Sequence, residues 1–344
     1  MTVPDLPSVP EGAATRSTPP IRDLGLLSVV APMLDEVDAA GTFYRRVCDA
    51  RGDVPFELVL VDDGSTDGTD AVLAGLAERD QRVRVITLSR SFGHQAALTA
   101  GLDHSRGDAV VMLDGDLQDP PEVIPALLDH WRRGSDVVYA VRRARLGETR
   151  FKLASSRWFY GLLGRLSQVE VQPNAGDFRL LDRRALDAVL AMRERNRYLR
   201  GMTVWVGFTQ TAVAYEREAR HAGETKYTLR KMIRFGLDAV ASFSHVPLQL
   251  ATLLGFFFSA LAFCCIPVVV GLRIAGLYLP GFSTITILVL LLGGIQLITL
   301  GVLGEYVARI YDEVKGRPLY VVRDRHNVIP ETRDGTQGDR LEVL

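Results

Sequence analysis

The chain has 344 residues, of which 40 are Lys or Arg and 41 Asp or Glu. That length suits one sizeable domain with something added, and the near-neutral balance excludes nucleic acid as the main partner. Cys48 and the adjacent Cys264 and Cys265 fit neither a disulfide framework nor a metal or redox spacing, which leaves reduced thiols in a cytosol-facing protein.

Residues 1–25 open the chain. The stretch Met1–Arg22 is rich in Pro, Ser, Thr and Gly. It lacks the apolar core of a signal peptide and reads as a disordered N-terminal tail. From there, short β-branched runs alternate with helical patterns. Leu27–Ala31, Glu57–Val61, Arg84–Leu88, Ala109–Leu113 and Asp136–Ala140 read as strands. Their starts are spaced by roughly one βαβ unit, about 25–30 residues. Between them, Thr69–Arg79, Gln95–His104 and Glu122–Trp131 read as helices, with Pro120-Pro121 marking the start of the last. The alternation predicts an α/β fold with a doubly wound, mostly parallel sheet. Ligands then bind beyond the carboxyl ends of the strands.

The pattern changes from Thr149 to Leu166, where aromatic and leucine positions interleave with Arg150, Lys152, Arg157 and Arg165. This predicts a basic amphipathic helix, open equally to core packing and to a membrane interface. A second such helix is predicted at 226–245, where Arg230, Lys231 and Arg234 flank an apolar face. It runs directly into an apolar stretch and reads as juxtamembrane. No charged residue lies between Val246 and Leu272, nor between Ile274 and Gly304. Each run exceeds the roughly 20 apolar residues that span a bilayer. Residues 246–307 therefore read as a two-helix transmembrane hairpin, and 308–344 as a cytoplasmic C-terminal tail. Basic residues flank both outer ends, including Arg309, Lys315, Arg317, Arg323 and Arg325. The positive-inside rule places both termini and the large domain in the cytoplasm.

Two acidic motifs follow predicted strands. Asp62-Asp63-Gly64-Ser65 is a strand end with a tight turn, a common feature by itself. Asp114-Gly115-Asp116-Leu117-Gln118 is more specific. Gly115 lets two carboxylates face one point, and Gln118 adds an amide oxygen. Mg2+ and Mn2+ favour such oxygen ligands together with substrate phosphates, and a nucleotide diphosphate would supply those. His94, at a predicted helix start, fits a structural histidine as well as an anion contact. It stays outside the catalytic set.

Taken in order, four motifs resemble family 2 inverting glycosyltransferases with the GT-A fold. They are Asp62-Asp63-Gly64-Ser65, Ser89-Arg90-Ser91-Phe92-Gly93-His94-Gln95, Asp114-Gly115-Asp116-Leu117-Gln118 and Gly176-Asp177-Phe178-Arg179. Within that family the chain resembles polyprenyl-phosphate glycosyltransferases with two C-terminal spans, whose catalytic half is dolichol-phosphate mannose synthase-like. Ala222-Gly223-Glu224-Thr225-Lys226-Tyr227 also fits, and the resemblance runs from about Leu26 to Asn327. It implies a cytoplasmic GT-A catalytic domain over 26–225. It implies nucleotide binding by Pro32, Asp35, Glu36, Asp63 and Asp114, with Asp63 on the base. Mg2+ or Mn2+ would sit on Asp114, Asp116 and Gln118. Asp177 and Asp116 would form the catalytic set, with Asp177 as base or acceptor-orienting acid. Arg200, Arg220 and Lys226 would bind phosphate, and Arg179 is either a further phosphate ligand or a structural ion pair. Leu34 departs from the pattern, standing where the family usually has an aromatic that stacks on the base.

The implied function is transfer of one sugar, first of all glucose from UDP-glucose, to a polyprenyl phosphate, yielding a lipid-linked donor for envelope glycosylation. GDP-mannose is the alternative donor. A non-catalytic lipid translocase or scaffold subunit is the alternative of a different class. The implied partners are the nucleotide sugar, the lipid phosphate and membrane lipid, with no nucleic acid. Short spans and interfacial helices also permit a homo-oligomer.

Overall fold

The computed structural model describes residues 21–142, 175–216, 246–276 and 281–328. Its elements run in chain order as β1 (Leu27–Met33), α1 (Val37–Ala50), β2 (Phe56–Asp62), α2 (Thr69–Arg79), β3 (Val83–Leu88), α3 (His94–Asp103), β4 (Ala109–Met112), a 3-10 turn (Pro121–Val123), α4 (Ile124–Arg132) and β5 (Val137–Arg142). There follow β6 (Ala175–Asp182), α5 (Arg183–Ala191), α6 (Leu199–Trp205), β7 (Gln210–Tyr215), α7 (Val246–Ile274), α8 (Phe282–Val314) and β8 (Val322–His326).

The strands form one sheet in the order β7-β5-β6-β4-β1-β2-β3-β8. Neighbours β4, β1, β2 and β3 are parallel, as the alternating pattern predicts. The sheet is nonetheless mixed, because β6 runs antiparallel to β4 and β5, and β8 runs antiparallel to β3. β1, β2 and β3 are buried along their whole length, which is why they read as continuous apolar runs. Alternate residues feed two cores, one on each face. Leu27, Val29 and Leu58 pack with Phe43 of α1, Leu73 of α2 and Trp131 of α4. Val30, Val59 and Val61 pack with Leu98 of α3, Leu186 of α5 and Met202 of α6. The described part of the chain before α7 is therefore a three-layer sandwich.

Three boundaries differ from expectation. Arg22, placed in the disordered tail, is bonded to the domain: its guanidinium donates to Asp136 at 2.7 Å and to Asp182 at 3.1 Å. Residues 308–328 do not form a tail. They complete α8, then return to pair β8 with the free edge of β3, an exposed ladder that would otherwise be unpaired. The second apolar run also continues past 307 as one helix. Among the described residues, Leu291–Val314 is the one segment that meets both the length and the hydropathy needed to cross a membrane. α7 is 29 residues long, long enough by helical rise to cross a hydrocarbon core, and it packs beside α8. The two amphipathic helices predicted at 149–166 and 226–245 lie outside the described residues.

Candidate active site

Four parallel strands point their carboxyl ends at one crevice, and β6 enters it from the opposite direction. Met112 of β4 pairs with Arg179 of β6. Running that antiparallel register two residues further sets Asp114 opposite Asp177. The imidazole of His94 joins them, its Nε2 lying 3.5 Å from Asp114 Oδ1 and 3.3 Å from Asp177 Oδ2. Acids from two distant motifs thus flank a single ring.

The Asp114-Gly115-Asp116 turn is held by close packing. A Cβ on Gly115 would come within 2.3 Å of Met33 Sδ and 3.0 Å of the Pro32 carbonyl oxygen. Leu117 has a left-handed backbone, φ 59. Its cost is on the order of 1 kcal/mol and is offset by burial of the Leu117 side chain. The turn also sends Gln118 N–H to Asp116 Oδ1 at 3.1 Å. Burial, reinforced by the charges of Asp177, Asp119 and Asp116, pushes the Asp114 carboxyl up to about 6 despite the opposing influence of His94. A half-buried acid raised in this way, with a second carboxylate and an amide oxygen on the same turn, is a donor set suited to a hard divalent cation.

Asp177 is almost fully buried. Arg200 grips it with Nε at 2.7 Å from Oδ1 and Nη2 at 3.1 Å from Oδ2. Gln95 Nε2 adds a donor at 3.3 Å. Burial alone would raise the Asp177 carboxyl. The bonds and charges from His94 and Arg200 outweigh it and hold the group far below the carboxylate range. For His94, burial alone would lower the imidazole, but the bond to Asp177 and the charge of Asp114 raise it above its ordinary value.

The residues expected on the nucleotide side sit as follows. Asp63 is 3% exposed, and its carboxylate accepts from Ser91 Oγ at 2.8 Å, Phe92 N at 2.7 Å and Gly93 N at 3.0 Å. It faces the loop that carries His94 and Gln95. Gly64 beside it has φ 78, and a Cβ there would strike the Arg90 and Ser91 backbone at 2.7 Å. Pro32 is buried in β1, in register with Val61. Asp35 accepts from Thr66 N at 2.9 Å, and Glu36 N donates to Thr69 Oγ1 at 2.9 Å. Leu34, 46% exposed, follows the end of β1.

Arg179, expected either to bind phosphate or to form a structural ion pair, makes structural contacts. It is 3% exposed, and its guanidinium donates to Thr203 Oγ1 and to the Gly176 carbonyl. Burial draws its ordinary value down to about 10. Its side chain is spent on the fold rather than on the crevice, because the guanidinium runs beneath α6 to Thr203. Arg220 and Lys226 lie outside the described residues. Sequence reasoning passed over Asp119 and Tyr215. Asp119 is completely buried and accepts from the Tyr215 hydroxyl, while Arg142 lies 3.5 Å from its other oxygen and donates to that hydroxyl at 3.1 Å. This joins the acidic turn to the last residues of β5 and β7. An acid directly after Gln118 was the available signal. Among the described residues, no group of three or more His, Cys, Asp or Glu side chains is arranged to hold a metal, so any cation here would depend on ligands beyond the protein's carboxylates.

The family model described as glycosyl transferase family 2 matches residues 28–190. An uncharacterized glycosyltransferase of Synechocystis sp. is 42% identical over 301 residues, covering 87% of this chain and 95% of its own. The glycosyltransferase YkcC of Bacillus subtilis is 42% identical over 304 residues, covering 88% and 94%. A prophage-derived bactoprenol glucosyl transferase of Shigella flexneri is 38% identical over 307 residues, covering 88% and 99%.

Proposed function

The chain belongs to glycosyl transferase family 2, and on that premise we propose that it transfers glucose from UDP-glucose to a polyprenyl phosphate at the cytoplasmic membrane face. The observation that carries this reading is the similarity to a bactoprenol glucosyl transferase along 99% of that protein's length, including the C-terminal helices. α7 and α8 are read as a membrane hairpin. The contact from Arg195 N to Glu313 Oε1 at 2.7 Å ties the catalytic region to the end of α8, which supports a site held close to the bilayer.

Asp114, Asp116 and Gln118 are the residues proposed to hold Mg2+ or Mn2+. Such an ion, when bound, neutralises charge on a departing diphosphate. The remaining roles belong to the chain itself. A phosphomonoester has a second pKa of about 6, so much of the acceptor is already a nucleophilic dianion at neutral pH. One of its oxygens bonds to the anomeric carbon as the bond to the UDP oxygen breaks, with inversion at that carbon. No proton needs to be removed from the dianion. The strongly ionised, Arg200-paired Asp177 supports an orienting role over that of a general base, which needs a pKa near the working pH. Arg200 supplies positive charge beside the reacting phosphates. Leu34 offers no ring for the base, so the nucleotide is recognised without aromatic stacking from that position.

The test is a donor screen with the full chain in detergent or vesicles, using undecaprenyl phosphate as acceptor. Transfer from UDP-glucose with Mg2+ or Mn2+, abolished by chelator and giving the inverted anomer, is expected. Transfer from GDP-mannose alone would replace the donor. Failure with every common donor, together with lipid flipping in vesicles, would favour a translocase.

A further inference from the structure

Gln95 is half-buried in the first turn of α3 and has no part in the functions above. Its side chain meets two different elements. Nε2 donates to Asp177 Oδ2 at 3.3 Å, and Oε1 accepts the backbone N–H of Leu199 at 3.0 Å. The amide orientation is fixed by chemistry, since a backbone N–H requires an acceptor and a carboxylate requires a donor. Leu199 is the first residue of α6, and Tyr198 before it makes no side-chain cap. Its N–H belongs to the set that a helix leaves unpaired at its start. Gln95 therefore caps α6 from another element. The next residue, Arg200, closes the ring by donating to Asp177 Oδ1 at 2.7 Å. One side chain thus holds Asp177 directly and, through the Leu199 N–H, the start of the helix that carries Arg200. Its own place is set by the Ser91–Gly93 loop, which Asp63 anchors through three hydrogen bonds.

We propose that Gln95 is a positioning residue for the transfer reaction, fixing Asp177 and the helix that carries Arg200 in one arrangement and linking that arrangement to the Asp63 end of the crevice. The proposal rests on the glucosyl-transfer reading for its kinetic readout. Gln95→Met removes both bonds at similar size. Gln95→Glu keeps the acceptor for Leu199 but turns a carboxylate oxygen toward Asp177. Gln95→Met is expected to lower kcat about tenfold, a barrier of about 1.4 kcal/mol, with the KM for UDP-glucose changed less than about twofold; Gln95→Glu is expected to lose more. Because Gln95 acts through the ion pair, the same change made on top of Arg200→Gln is expected to cost less than about twofold further, since coupled residues are not additive. A wild-type kcat in Gln95→Met, or a full tenfold loss persisting in the Arg200→Gln background, overturns the proposal. If Gln95→Met fails to fold, Gln95→Glu carries the same cycle. If the wild-type chain transfers no sugar, the substrate reading fails, and the cycle is then read by Tm on the ligand-free full chain. Non-additive Tm losses support the positioning role there, and additive ones overturn it.

Discussion

Replacing Asp177 by Asn separates two roles that a carboxylate in this crevice could play. The wild-type group takes two charged bonds from Arg200, at 2.7 and 3.1 Å, and one from Gln95 at 3.3 Å. Asparagine keeps the shape but offers one acceptor, and its NH2 opposes an Arg200 donor. Losing one to two charge-assisted bonds costs about 3 kcal/mol. Arg200 keeps 30% of its side chain exposed, which brings the figure nearer 2 kcal/mol through solvent screening. If the arrangement matters in the transition state, kcat/KM falls about 30- to 150-fold. The pH dependence carries the discrimination. His94 and Arg200 hold Asp177 far below the carboxylate range against the opposing pull of burial, so it stays ionised while the acceptor phosphate titrates near pH 6. Because the bond to Asp177 also raises the His94 imidazole, the ratio of wild-type to variant activity is expected to change from about pH 5.5 to 8.5 only as that ring titrates, without a steady trend toward alkali. The assay is glucose transfer to undecaprenyl phosphate across that range. A deficit that shrinks about tenfold per pH unit toward alkali would show that Asp177 removes a proton, and the orienting argument would fail. The same depressed ionisation contributes stability above the unfolded carboxyl value of about 3.9 and loses it as pH falls through the folded value. The Tm gap between wild type and Asp177→Asn should therefore narrow only on strong acidification.

Asp114→Asn should abolish metal-dependent transfer yet raise the metal-free Tm at pH 7 to 8. Its carboxyl is pushed by burial from 3.8 to about 6, an ionisation penalty of roughly 3 kcal/mol at most. The favourable contribution is present below the unfolded value and lost as pH rises through about 6, so the Tm gain should disappear near pH 4; a lower Tm at pH 8 would refute it. Gly115→Ala places a Cβ 2.3 Å from Met33 Sδ and should lower Tm and weaken Mn2+ affinity, with partial recovery in a Met33→Ala, Gly115→Ala double variant measured by calorimetry. Tyr215→Phe removes the hydroxyl from completely buried Asp119. Losing one donor to a buried acceptor costs up to about 1–3 kcal/mol, so Tm should fall measurably in thermal denaturation, and an unchanged Tm would mean that the acid's remaining contacts, Arg142 among them, satisfy it.

The central parallel strands were legible because burial on both faces leaves an unmistakable apolar run, as in Val59-Leu60-Val61. The helix Thr69–Arg79 was legible to the residue. β6 and β8 were not, for a physical reason. Asp177 and Arg179 are polar residues buried inside β6, and their acceptability depends on partners brought from α3 and α6. A strand whose charges are satisfied mainly by distant elements carries a weak local apolar signal. β8 reads Val-Arg-Asp-Arg-His and is held chiefly by pairing along an edge. The site divides along the same line. Asp114, Asp116 and Gln118 stand together on one turn and could be read from their spacing, whereas the identity of Asp177's partners depends on an antiparallel register that no single motif encodes. Arg179 shows the limit most clearly. Two residues from Asp177 on the strand, it shares that residue's face, yet its longer side chain runs beneath α6 to Thr203 and the Gly176 carbonyl. Arg200, from a short helix with no motif of its own, reaches the acid instead. Both arginines were expected near phosphate, and their places in the sequence did not tell them apart. The contact of Arg200 with Asp177 depends on the placing of α6, whose first N–H is accepted by Gln95, so the charge beside the proposed phosphates depends on packing between three elements rather than on any motif.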